Sequence, residues 1–301
     1  MVEKLFIDDV TVSDEFYRMI RDENRAAVVE LRSYLLNLWD IYHDYADKDF
    51  PEQLAQDFQA RFWEMYLTCT LIHKSFKVLP KRTRARGPDI RIEYGSTTIW
   101  IEVVTPTVGD PKKPDSVRPA KMLVAQEIPD EQMILRYRSA IHDKYSGKYF
   151  TYLRDGIIGS SDCYVIALNG CRMPWPGGDY EPARIVRCVL PFGSQVVTVD
   201  TRSHKIVNTG HQYRAHLRKA SGEEVETDIF LKPEYSHLSA VMFSEVNIAN
   251  LPSGMGDDFI IVDNPLASKR LPDDFPKVGK KYEAELSENT VKVSPRNLGE
   301  R

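Results

Sequence analysis

Cysteine is scarce in this chain, and the cysteines present do not fall into pairs. The four residues are Cys69, Cys163, Cys171 and Cys188, and no two of them form a Cys-x-x-Cys motif. Cys69 and Cys163 lie in apolar runs, as small core residues do. This usage argues against a disulfide framework or a zinc site and suits a reducing compartment. The pattern predicts a cytoplasmic protein.

Long apolar runs and nucleotide-binding glycine motifs are also missing. No stretch approaches the roughly 20 apolar residues that a membrane helix requires. The first 16 residues are acidic and lack an uninterrupted apolar segment, which argues against a secretory signal. Neither GxxxxGK[ST] nor GxGxxG occurs, which argues against an NTPase or a dinucleotide enzyme. We expect no membrane partner.

The chain has no overall excess of positive charge. Its 40 Lys and Arg residues are outnumbered by 44 Asp and Glu residues, for a net charge of -4. A surface for nucleic acid would therefore have to be local. The composition, 42% hydrophobic and 28% charged over 301 residues, is that of a folded protein with one large domain or two ordinary ones.

The strongest local pattern is the segment 87–106, GPDIRIEYGSTTIWIEVVTP. Two β-branched runs flank a turn that contains Gly95, which predicts a β-hairpin. Asp89 begins the first strand, and Glu102 interrupts the apolar second strand. Two carboxylates at the mouth of one hairpin can converge on a hard divalent cation, which prefers oxygen ligands. The alternative is that each is an ordinary acid facing solvent.

A third acid lies in a helix predicted over residues 51–77. The part that reads FWEMYLTCTLI is apolar nearly all round and carries Glu64 as its one charge. Such a helix is expected to be buried, and a buried carboxylate needs a partner, a metal or a proton. The alternative to a metal is an ion pair with Arg61 or His73.

Basic residues precede and follow the hairpin. The candidate phosphate-binding residues are Lys81, Arg82, Arg84, Arg86 and Lys121. The first four lead directly into Asp89, and Lys121 lies in a proline-rich loop over residues 105–129 that we interpret as a flap over the site. The alternative for the basic run is a solvated surface loop.

The remaining elements define the predicted fold. A helix over residues 130–153 carries Lys144 at the edge of its apolar stripe, and the apolar run 163–168 predicts a central strand. The order of helix, hairpin, loop, helix and strand predicts an α/β (α+β) fold with a mixed central sheet flanked by helices. Further strands are predicted at 185–190, 196–199, 205–207, 228–231 and 238–243.

These elements suggest four regions along the chain. The predicted regions are an N-terminal helical segment over 1–50, a core over 51–170, a β-rich extension or second subdomain over 171–265, and a polar tail over 266–301.

Four pieces of this sequence resemble the PD-(D/E)xK nuclease superfamily, which has a restriction-endonuclease-like core. They are RFWEMYL with Glu64, GPDI with Asp89, IWIEVV with Glu102, and RYRSAIHDKY with Lys144. The resemblance implies that Asp89 and Glu102 bind Mg²⁺, with Mn²⁺ as a substitute, and that Glu64 completes the acidic cluster.

One position departs from the family. The family's lysine lies two residues after the second acid, where this chain has Val104. Lys144, from the following helix, is the expected replacement, and Lys148 and Lys121 are the alternatives. The implied catalytic set is therefore Glu64, Asp89, Glu102 and Lys144.

The resemblance implies a Mg²⁺-dependent endonuclease that hydrolyses phosphodiester bonds of DNA, in restriction or another defence against foreign DNA. RNA is an alternative substrate, and cutting both strands of a duplex favours a homodimer. The alternative function, indicated by Val104 and the negative net charge, is a catalytically inactive nuclease-fold protein that binds nucleic acid or a protein partner.

Overall fold

A mixed sheet of eight strands organises the structure. The coordinates are a computed structural model, which describes residues 4–8, 10–81, 86–121, 123–175, 179–287 and 290–299. The helices are α1 (Glu15–Asp22), α2 (Ala26–Tyr42), α3 (Phe50–Gln56), α4 (Phe58–His73), α5 (Asp130–Lys144), α6 (Phe150–Arg154) and α7 (Arg184–Val189). The strands are β1 (Lys77–Leu79), β2 (Ile90–Tyr94), β3 (Thr97–Val104), β4 (Cys163–Asn169), β5 (Phe192–Val199), β6 (Ile206–Tyr213), β7 (His216–Arg218), β8 (Glu224–Glu226), β9 (Ala240–Ser244), β10 (Ile260–Asp263), β11 (Gly279–Ser287) and β12 (Thr290–Leu298).

The strand order in the main sheet is β1-β2-β3-β4-β9-β10-β11-β12. Strands β3, β4 and β9 run parallel to one another, and so do β10 and β11. The other neighbours pair antiparallel. The predicted α/β (α+β) class with a mixed sheet is therefore confirmed. Strands β5 and β6, and strands β7 and β8, form separate two-stranded sheets.

Helices cover both faces of this sheet. Side chains alternate along β3, so Ile99 and Ile101 pack with α1 to α4 on one face. Trp100 packs with α5 and α7 on the other face. The turn from β2 to β3 uses Gly95 at φ +59°, a conformation that favours glycine.

The helix predicted over residues 51–77 is divided into α3 and α4 at Asp57. The Asp57 carboxylate accepts a hydrogen bond from the Ala60 N–H at 3.2 Å and so caps α4. Further along α4, the Trp63 indole N–H donates to the carbonyl of Ala167 in β4 at 3.1 Å. This bond fixes α4 against the sheet and with it the position of Glu64.

The helix predicted over residues 130–153 is also interrupted. Helix α5 passes into a π-helical turn over Tyr145–Tyr149 and then into α6. π-helical turns insert one residue into a helix and often occur at functional sites. Here the turn begins directly after Lys144, the predicted catalytic lysine.

Two predicted strands are wrong. Residues 185–190 form most of α7, and residues 228–231 contain a single 3₁₀ turn, Ile229–Leu231. A helix brings Arg184 and Arg187, three positions apart, to one side, where both bind Asp130. A strand would place them on opposite faces. The apolar run alone did not distinguish these alternatives.

The predicted polar tail over residues 266–301 contains two nine-residue strands instead. Strands β11 and β12 form a hairpin that completes one edge of the main sheet. Ala284, Val291 and Val293 pack partly against the core, while alternate residues are polar. This period of two is the usual pattern of a half-buried antiparallel strand.

In the part of the chain that the structure describes, no helix combines the length and apolarity needed to cross a bilayer.

Candidate active site

The predicted acids come from three elements around the start of the hairpin. Glu64 lies on α4, Asp89 directly precedes β2, and Glu102 lies in β3. The register pairs Ile90 with Ile101, so Asp89 is opposite Glu102 at the next position. The Val103 N–H donates to Asp89 Oδ2 at 2.7 Å, which fixes the Asp89 carboxylate against β3.

Lys81 joins two of these acids. Its ammonium nitrogen lies 3.0 Å from Glu64 Oε1, 3.4 Å from Asp89 Oδ1 and 2.7 Å from Asp47 Oδ2. The Lys81 side chain is only 15% exposed. A residue predicted to bind phosphate is thus turned inward onto carboxylates.

Glu64 is buried and fully engaged. Besides Lys81, the Tyr42 hydroxyl donates to Oε1 at 2.9 Å and Arg61 Nη1 donates to Oε2 at 2.6 Å. Burial, together with the negative charge of Asp89, raises the pKa of Glu64 despite the opposing effect of Lys81 and Arg61. The ion pair with Arg61 that the sequence offered as an alternative is present.

Glu102 lies on the other face of the sheet, the face of Trp100, and is equally buried. Lys144 Nζ donates to Oε1 at 2.7 Å, and the Tyr152 hydroxyl donates to Oε2 at 3.4 Å. Burial raises the pKa of Glu102 to about 7; the charge of Asp89 adds to this, whereas Lys144 and Lys148 oppose it.

Lys144 therefore does contact the second acid of the hairpin, across the sheet from α4. It is the last residue of α5, and its side chain is 25% exposed. Lys148 lies in the exposed part of the π-helical turn and affects Glu102 through its charge. Val104, two residues after Glu102, ends β3 and is half-buried.

Asp89 affects the protonation of both buried glutamates through its negative charge. Its charge raises the pKa of both Glu64 and Glu102, although these two lie toward opposite faces of the sheet. Within the described ranges, no three His, Cys, Asp or Glu side chains stand in a metal-holding arrangement. Lys81 and Lys144 instead neutralise the carboxylates. The donors themselves are carboxylate oxygens, the ligand type that Mg²⁺ prefers.

The other predicted phosphate-binding residues are not brought into this cluster. Arg82 and Arg84 lie outside the described residues. Arg86 is exposed just before Gly87, and Lys121 is exposed in the long loop between β3 and α5. Both side chains are exposed, and their role in binding phosphate stays a prediction.

Sequence reasoning missed three residues that complete the cluster. Tyr42 lies one helical turn beyond Leu38 on the buried stripe of α2, so helical spacing could have identified it as buried. Asp47 comes from the turn after α2, and Tyr152 from α6. No local pattern distinguishes these two from other surface residues.

Comparisons with known proteins add no assignment. No protein-family model, no curated protein and no solved structure matches this chain. What the site can do must therefore be inferred from its own residues and their geometry.

Proposed function

We propose that this protein is a Mg²⁺-dependent endonuclease that hydrolyses phosphodiester bonds of DNA. The observation that supports this most directly is that Asp89 shares the Lys81 ammonium with Glu64 and stands opposite Glu102 in the hairpin. A carboxylate whose negative charge raises the pKa of two buried acids is typical of a site that receives a cation. The order α4, hairpin, α5, β4 is also the order on which the resemblance to PD-(D/E)xK nucleases was based.

Each residue of the site has a separate role in the proposed reaction. Asp89 and Glu102 would hold Mg²⁺, with Glu64 as the third carboxylate. When bound, Mg²⁺ would lower the pKa of a water and neutralise charge on a phosphate oxygen. Glu102 holds the Lys144 ammonium at the cluster, where it can stabilise negative charge that develops at phosphorus. Arg86 and Lys121, both exposed, would contact backbone phosphates.

A second candidate function is a nuclease-fold protein that binds nucleic acid without cutting it. Two observations favour it: Val104 replaces the family's lysine, and ammonium groups already neutralise the carboxylates. This candidate requires salt-sensitive DNA binding, because phosphate contacts release counterions, with no effect of Mg²⁺ on the integrity of the DNA.

Plasmid cleavage tests the proposal. We expect the protein to nick or linearise supercoiled plasmid with Mg²⁺ or Mn²⁺ and not with EDTA. Asp89→Asn and Glu102→Gln keep the side-chain shapes but remove charge, so each should cut about 100-fold more slowly. The matched control is Glu93→Gln, a half-buried acid of β2 that pairs with Lys77 at 2.5 Å; it should cut at the wild-type rate.

The outcomes separate the two candidates. Equal cutting by wild type, Asp89→Asn and Glu102→Gln would remove these acids from the mechanism. DNA retention at low salt with intact plasmid in Mg²⁺ and in Mn²⁺ would favour the binding protein instead.

Lys144→Met should reduce the cleavage rate by about 10- to 100-fold, because it removes both the ammonium that stabilises charge at phosphorus and the partner that positions Glu102. It also removes a group that holds down the pKa of Glu102, so the pH of half-maximal cleavage should rise. Lys148→Met is the control, because Lys148 has no direct bond to Glu102 and should change the rate by less than about 3-fold. An unshifted pH profile in Lys144→Met would contradict the role of Lys144.

A further inference from the structure

The Lys81 ammonium occupies the position that a metal ion bound by the surrounding carboxylates would take. Its ammonium lies within 3.4 Å of oxygens from Asp47, Glu64 and Asp89, which come from three separate segments. An ammonium has three donors and no acceptor, so three carboxylates can satisfy it completely. Lys144, by contrast, contacts one carboxylate, Glu102.

Electrostatics prevents a second cation from joining Lys81 at this position. The Lys81 side chain is largely buried, where charge interactions are screened less than in water. An ammonium and a divalent cation on the same Glu64 and Asp89 oxygens would repel each other strongly. Burial favours loss of the Lys81 proton, but the charges of Glu64 and Asp89 outweigh this and raise its pKa, so the ammonium persists.

We infer that Lys81 is a built-in counter-ion that competes with a divalent cation for Glu64 and Asp89, so that the cation binds these oxygens only after the Lys81 ammonium has left them. The inference rests on the proposed function for the nature of the competing cation. The flexible four-carbon stem of lysine allows the ammonium to withdraw without a change in the backbone.

The competition explains how the folded protein tolerates the repulsion between Glu64 and Asp89 when no metal is bound. With Lys81 in place, Glu64 and Asp89 share a positive partner, and Arg61 supplies a second one to Glu64. Lys81 thus lowers the repulsion between these carboxylates in the metal-free protein and weakens their affinity for a metal by the same interaction.

The test measures Mn²⁺ binding to the full chain without DNA, by titration calorimetry or by the electron paramagnetic resonance signal of free Mn²⁺. Lys81→Met keeps the length and removes the charge. We expect it to bind Mn²⁺ at least about 10-fold more tightly than wild type. Without metal, its melting temperature should lie below that of wild type, and Mn²⁺ should raise it by the larger amount.

Three further variants make the test specific. Lys81→Arg keeps the charge and should not gain affinity. Lys77→Met removes an exposed lysine that pairs with Glu93, and its affinity should remain that of wild type. Combining Lys81→Met with Asp89→Asn should abolish the gain. Should Lys81→Met not fold, Lys81→Gln is the neutral replacement, with the same expected gain.

The results separate this inference from the proposed function. A neutral variant at position 81 that binds Mn²⁺ no more tightly than wild type overturns the competition, whether or not wild type cuts DNA. A gain in affinity that depends on Asp89, in a protein that leaves plasmid intact, supports the competition and removes the nuclease.

Discussion

Asp130→Asn should lower the free energy of unfolding by about 3–5 kcal/mol, because it leaves buried positive charge without its partner. Asp130 Oδ1 accepts hydrogen bonds from Arg184 Nε at 2.8 Å and from Arg187 Nη2 at 3.1 Å, and Oδ2 binds Arg187 Nη1. Both arginines are fully buried. Burial raises the pKa of Asp130, but the bonds from Arg187 and Arg184 outweigh it and lower the pKa below its ordinary value.

Urea unfolding monitored by circular dichroism measures this effect. The matched control is Glu131→Gln, which removes the neighbouring acid from the first turn of α5, where it is exposed. It removes a similar interaction with the helix dipole, worth about 0.3–1 kcal/mol, but no buried ion pair. Similar losses of unfolding free energy in both variants would show that the arginines do not depend on Asp130. Asp179, which binds Arg187 at 2.8 Å, would then be the partner that keeps Arg187 stable.

Glu102→Gln should become progressively more stable than wild type as the pH rises. The pKa of Glu102 is raised from 4.5 to about 7 in the folded protein. Between these values the folded state holds a proton that the unfolded state has released, so wild type loses stability as the pH increases. Glutamine has no such proton. The difference in unfolding free energy should grow by roughly 3 kcal/mol across this window.

Unfolding in urea at about pH 4 and about pH 8 brackets this window. At the lower pH, Glu102 is largely protonated, so the two proteins should differ little. Using the difference between variant and wild type removes the contributions of other titrating groups. A difference in unfolding free energy that stays constant with pH would mean that Glu102 keeps an ordinary pKa. The proposal that Asp89 and burial disfavour its charged form would then lose its main support.

Short-range patterns were enough to predict the centre of the fold. The hairpin follows from two β-branched runs around Gly95, and β4 follows from an uninterrupted apolar run. The burial of Glu64 could also be predicted, because an acid on an all-apolar helix must be buried with it. Each of these inferences depends only on residues that are close together in the sequence.

The features that were missed depend on partners far apart in the chain. Lys81 belongs by sequence to a basic run, yet it binds Asp47 and Glu64. Similarly, α7 is favoured by a carboxylate on α5, more than 50 residues earlier. Such pairings follow from tertiary packing, which overrides local preference and has no signature within a window of neighbouring residues.

The order of strands in the sheet has a consequence for how the chain is made. Strand β4, with all seven residues buried, lies between β3 and β9. A nascent chain that has left the ribosome as far as Asn169 already holds β3 and β4, but β9 begins only at Ala240. For the time taken to synthesise that interval, the apolar edge of β4 is open to other chains. Slower translation through this interval should therefore increase aggregation during synthesis rather than assist folding.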